Sequence, residues 1–138
     1  MNIKVQEGVR GTLFNFKNVS TVMAVIAFTL FCILLLAPEV IFTLFQVPGN
    51  ESAYFIARRA ALLFLGIGVI SWYGRSAAHS ESRQAICIGL SASMLALAAL
   101  GLFEFARGSV GLGIFLAVAA EVLIGGAYFR IWYSNRMP

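Results

Sequence analysis

An acidic side chain stands inside a long apolar run at Leu112–Phe129, LGIFLAVAAEVLIGGAYF. On an insertion scale, an acid at the centre of a membrane helix costs about 2.5–3.5 kcal/mol. Each Leu, Ile, Phe or Val returns about 0.3–0.6 kcal/mol, so roughly ten such residues offset Glu121 and the segment still inserts. Acids kept at that depth mark proton relays, ligand counter-charges or polar contacts between helices. Three roles are open to Glu121. It is a protonated carboxyl hydrogen-bonded to a serine, with Ser91 and Ser93 expected at similar depth. It is instead a proton-coupling or ligand-binding acid, or it pairs with an arginine of a partner protein. Ala117 and Gly125, one turn away on either side, are small, which aims Glu121 at a packed helix and away from lipid.

A second group of charges, Glu39, Arg58, Arg59, Glu104 and Arg107, falls at the ends of apolar segments. One reading is a rim of paired charges that fixes how helical hairpins dock. The other is a shallow polar pocket for a lipid headgroup or small anion; charges at span ends reach water by snorkelling, which weakens it. No Walker loop, HExxH, nucleophile elbow or serine–histidine–acid set occurs in the sequence. The Gly66/Gly68 and Gly111/Gly113 pairs lie in apolar segments and read as packing residues. His79, the one histidine, stands in a polar loop without an acidic cluster. Cys32 and Cys87 fall in apolar segments at no metal or redox spacing and read as small packing residues. No metal or cofactor is called for.

The composition says what must hold these groups. The chain has 138 residues, 60% apolar and 12% charged, with mean hydropathy +0.88. A soluble domain carries about a quarter charged residues, so this chain belongs to the membrane class. Four apolar segments, Val19–Ala37, Tyr54–Tyr73, Gln84–Phe103 and Ser109–Ile131, are each about 19 to 23 residues, enough to cross a bilayer. They use most of the chain and leave no room in it for a soluble catalytic domain. The expected fold is all-α, an integral membrane four-helix bundle forming a single transmembrane domain, with a short interfacial helix after the first span. Pro38 must stop or kink the first span. The stretch Val40–Val47 is too short to cross and fits a half-helix in the interface, before a turn at Pro48-Gly49-Asn50. Asn50-Glu51-Ser52 is also a three-residue glycosylation sequon of low specificity.

Periodicity suggests which faces pack. Arg59, Leu63, Gly66 and Ile70 share a stripe that would turn Arg59 to the bundle and Arg58 to headgroups. Ala85, Gly89, Ala92, Ala96 and Ala99 make a narrow small-residue face on the third span, as close helix approach requires. Small residues also dot the fourth span, at Gly113, Ala117, Gly125, Gly126 and Ala127. Trp72 and Tyr73 suit an interface anchor. Residues 1–18, with Lys4, Arg10 and Lys17 among Leu13, Phe14 and Phe16, read either as an interfacial segment on anionic lipid or as a frayed tail.

Lys and Arg counts set the orientation. With the N-terminus inside, Lys4, Arg10, Lys17, Arg75, Arg83, Arg130 and Arg136 lie inside, against Arg58, Arg59 and Arg107 outside. Both termini are therefore expected in the cytoplasm, and the net charge of +4 is a topology signal, not a sign of nucleic-acid binding. The first span is too long for a signal peptide and has a polar lead of 18 residues, so it is expected to be retained.

Across Ala37-Pro38-Glu39, Leu44-Phe45, Val47-Pro48, Ala57-Arg58 and Leu65-Gly66 the chain resembles a group of small bacterial four-span membrane proteins with a "PE…LF…P…AR…G" signature. It is similar in overall plan to the DoxX-like membrane proteins. The doubled Arg58-Arg59 and the central Glu121 lie outside that signature. The resemblance implies a bacterial inner-membrane protein and assigns no reaction. The first functional expectation is a non-enzymatic accessory subunit or self-associating bundle, contacting membrane lipids and forming a homo-oligomer or larger complex. The alternatives are a small proton-coupled transporter using Glu121, and a membrane enzyme acting on a lipid or quinone near Glu39, Arg58 and Arg59.

Overall fold

The computed structural model describes residues 15–135; most of the expected interfacial segment at 1–18, and Arg136, lie outside them. Among the described residues the chain is all-helical: α1 (Phe16–Leu36), α2 (Pro38–Phe45), α3 (Glu51–Gly74), α4 (Glu81–Ala106) and α5 (Ile114–Ser134). The four long helices, of 21, 24, 26 and 21 residues, are apolar enough to cross a membrane. At 1.5 Å per residue the shortest is about 31 Å long, matching the hydrocarbon thickness. Their outer faces are as apolar as a core: Leu63 and Leu123 are 72% and 69% exposed. Water would not tolerate such a surface, and lipid covers it without penalty. The chain is a multi-pass membrane protein.

Each boundary has a local cause. Asn15, Asn50 and Ser80 cap α1, α3 and α4, their side-chain oxygens accepting from the N–H groups of Asn18, Ala53 and Arg83 at 2.8, 2.9 and 3.3 Å. Pro38 ends α1 as expected, and it opens α2 at a position where its missing N–H costs nothing. The α2 helix closes on Gln46 in the left-handed region, with Gln46 N–H on Thr43 and Val47 N–H on Phe42, the paired bonds of a Schellman end. In the lipid-facing helices Thr21 and Thr29 return their hydroxyls to carbonyls four residues back, so neither hydroxyl is left unpaired in lipid.

The helices pair as two antiparallel hairpins, α1 with α3 and α4 with α5. Glycines set the contacts: a side chain at Gly68 would strike the Phe28 ring, and one at Gly101 would strike Val118. Near the described chain ends the hairpins are fused by one core, in which Phe16 and Met23 of α1 meet Leu90 and Met94 of α4 and Ile124 and Tyr128 of α5. Toward the α2 end that core divides. Leu34, Ala57 and Ala61 form one cluster within the first hairpin, and Ala98, Ile114 and Val118 another within the second. The bundle is a wedge, welded at one end and split at the other.

The α2 helix bridges the split. The Gly111 N–H, in the loop before α5, donates to the Phe45 carbonyl at 2.7 Å. Gly113 lies so close to the Leu44 carbonyl that a Cβ would overlap it.

Three expectations are corrected. The fourth span begins at Ile114, not Ser109, because Arg107 through Gly113 form the docking loop. The stripe at Ala85, Gly89, Ala92, Ala96 and Ala99 faces outward; α4 packs instead through Cys87, Leu90, Ser91, Met94, Ala98 and Gly101. Close approach needs a small residue on only one of two helices, and here Gly125 of α5 receives Met94 and Leu95 of α4. The Arg59, Leu63, Gly66 and Ile70 stripe is also exposed, since α3 packs through Ala57, Ala61, Gly68 and Ser71.

Candidate functional site

The split between the hairpins is a cleft of two adjoining lobes, of about 280 and 310 Å³. Leu30 of α1, Phe45 of α2, Phe64 of α3, Leu97 of α4 and Glu121 of α5 line both. All four long helices and the bridging helix therefore contribute walls. Leu44, Leu97 and Leu116 line the first lobe and are also exposed on the flank of the bundle, so the cleft opens sideways to lipid.

Glu121 supplies the only polar side chain among the described residues that line the first lobe. It sits on the stripe of α5 that faces the first hairpin, seven residues before Tyr128, which makes the corresponding contact in the fused core. The two polar groups on this stripe are treated differently. Tyr128 is fully buried and its hydroxyl donates to Ser20 Oγ at 3.0 Å, whereas no described residue gives Glu121 a hydrogen bond or an ion pair. Because α5 starts at Ile114, Glu121 lies about 10 Å from the split end of the helix and about 20 Å from the other. It is nearer the α2 side than the mid-depth expected from the apolar run. The second lobe continues toward Glu104, so the cleft runs from one carboxyl to a second at its rim.

The serines expected beside Glu121 are elsewhere. Ser91 is buried and its hydroxyl donates to the Gly125 carbonyl at 2.9 Å, tying α4 to α5. Ser93 is exposed and bonds back to Gly89 at 3.0 Å. The expected charge rim is not assembled either. Arg107 pairs with Glu104 at 3.1 Å, and this is the one ion pair among the described residues. Glu39 lies in the first turn of α2, where the helix dipole favours an acid. Arg58 and Arg59 are exposed, on the lipid-facing side of α3, with Arg59 near the Phe55 ring at 5.9 Å. The reason is helical phase: once Ala57 and Ala61 face α1, residues 58 and 59 point away.

Sequence reasoning missed Ser20, Ser71 and Tyr128, all buried in the fused half. A tyrosine seven residues from an inward acid on one helix was the available signal. Cys32 is exposed and Cys87 buried, both free, and His79 is an exposed loop residue. No group of three potential metal ligands occurs among the described residues. Comparison of the chain with protein-family models, curated proteins and solved structures finds no match.

Proposed function

We propose that this four-span protein is a non-enzymatic binding protein or carrier, in which the cleft holds an apolar molecule bearing a cationic or hydrogen-donating group against Glu121. What carries the reading is one juxtaposition: an acid with no partner among the described residues, in a lobe of the cleft whose other described lining residues are apolar and which opens to the lipid phase. An unpaired carboxylate in such a medium is too costly to persist. Glu121 must hold either a proton or a positively charged group, and exchange between the two couples proton movement to ligand movement. The signature across Pro38 to Gly66 supports membership in the small bacterial four-span group, hence the inner membrane, and the Lys and Arg bias supports a cytoplasmic location for residues 15 and 135. The enzyme alternative gains nothing from the geometry, because Glu39, Arg58 and Arg59 do not converge.

The test is binding of a lipophilic ammonium dye to purified protein in weakly buffered detergent. Dye binding should release a proton, and Glu121→Gln should abolish the release and weaken binding about 10- to 100-fold, the worth of a charge-assisted hydrogen bond. Unchanged dye affinity in Glu121→Gln removes the proposal. A second reading, self-association, is favoured by the outward small-residue stripe of α4, on which a side chain at Gly89 would meet nothing within 4 Å.

A further inference from the structure

At the welded end, opposite the cleft mouth, three cations converge. Lys17 stands in the first turn of α1, Arg75 follows α3, and Arg83 stands in the first turn of α4. With Asn15, Phe16 and Ser76 they line a pocket of about 360 Å³. None of the three forms an ion pair with a described carboxylate. Two are held over aromatic rings: the Arg83 guanidinium lies 4.4 Å from the centre of the Phe16 ring, and that of Arg75 lies 3.5 Å from the centre of the Trp72 ring while also donating to the Trp72 carbonyl at 2.7 Å. A guanidinium has five N–H donors in a planar fork that matches phosphate oxygens.

Depth identifies the anion. Trp72, Tyr73, Trp132 and Tyr133 belong to the last turns of α3 and α5, at this same end, and aromatic residues of that kind mark the headgroup level of a bilayer. The first turns of α1 and α4 open there too, adding the positive ends of two helix dipoles. A pocket at headgroup depth with three positive charges that no described carboxylate pairs selects a net-anionic headgroup over a zwitterionic one, whose own cation would be repelled.

We infer that the pocket between Lys17, Arg75 and Arg83 binds the phosphate of an anionic membrane lipid. The assignment needs the four-span fold and is independent of the cleft at the other end.

The experiment titrates the full chain, purified in a neutral detergent, with dioleoyl phosphatidylglycerol, dioleoyl phosphatidylcholine or inorganic phosphate, and reads the thermal unfolding midpoint. Phosphatidylglycerol should protect at a concentration at least tenfold lower than either of the others. Each of Lys17→Gln, Arg75→Gln and Arg83→Gln should raise its half-saturating concentration about fivefold, the share of one cation at an anionic surface. Arg58→Gln, at the opposite end, should not. Lys17 is exposed, so its variant reports on the site even where loss of the Arg83–Phe16 contact disturbs folding. Equal protection by phosphatidylcholine, equal protection by inorganic phosphate, or an unshifted phosphatidylglycerol titration in Lys17→Gln and Arg75→Gln overturns the assignment.

Discussion

Gly113→Ala distinguishes a local from a tertiary account of the docking loop. Gly113 has φ −59° and ψ −21°, a helical conformation that alanine adopts without strain, so on local grounds the substitution should stabilise by about 0.4–1 kcal/mol. The structure predicts the opposite sign. The added methyl would overlap the Leu44 carbonyl of α2, which is backbone and cannot rotate aside, so α2 must be pushed from the second hairpin. That movement breaks the 2.7 Å Gly111–Phe45 bond, worth about 0.5–1.5 kcal/mol, and adds the strain of overpacking, about 1–3 kcal/mol. Net destabilisation, after the local gain is subtracted, should be about 0.5–4 kcal/mol. The assay is reversible unfolding in mixed detergent micelles with increasing dodecyl sulfate, followed by circular dichroism. Gly126→Ala, where a methyl meets nothing within 4 Å, is the control that should not destabilise. A Gly113→Ala protein at least as stable as the parent would refute the clamp between α2 and the second hairpin.

Further outcomes follow from other contacts. Tyr128→Phe removes the buried bond to Ser20 and should cost about 1–3 kcal/mol in the same unfolding assay, while Tyr73→Phe, on an exposed residue, should cost less than about 0.5 kcal/mol. Ser91→Ala leaves the Gly125 carbonyl one donor short and should cost about 0.5–1.5 kcal/mol; no measurable loss would mean that the bond between α4 and α5 is not formed. Gly89→Leu blocks the outward face of α4 without touching the core, so it should dissociate any homo-oligomer seen by crosslinking in membranes and leave unfolding unchanged. With Cys32 and Cys87 replaced by serine, single cysteines at Asn50 and His79 should be labelled by an impermeant thiol reagent from opposite sides of the membrane. Labelling from the same side would refute the four-span topology.

Much of the architecture was legible because lipid imposes one simple demand, that each crossing segment be long, apolar and helical. Pro38 as the stop of the first helix, the short helix after it and the turn before α3 all follow from local chemistry. Helix phase was harder to read. In water an amphipathic pattern tells inside from outside, but in lipid both faces are apolar, and the cue that remains is residue size. Two size stripes competed on α4, and the one with the larger residues packs because its neighbour α5 supplies the glycine. On α3 the same ambiguity placed Arg59 inward, when Ala57 and Ala61 are the residues that touch α1.

From sequence alone came the number of membrane-crossing segments, the position of the break between the first two, and the singular status of Glu121. These depend on hydropathy, proline geometry and the cost of an acid among apolar residues, all of which act within one segment. Tertiary structure decided that the hairpins fuse at one end and part at the other, that Ser91 serves Gly125 while Glu121 has no described partner, and that Lys17, Arg75 and Arg83 share a pocket. Those outcomes depend on rotation of each helix about its axis and on contacts between residues more than a hundred positions apart, which no single segment encodes.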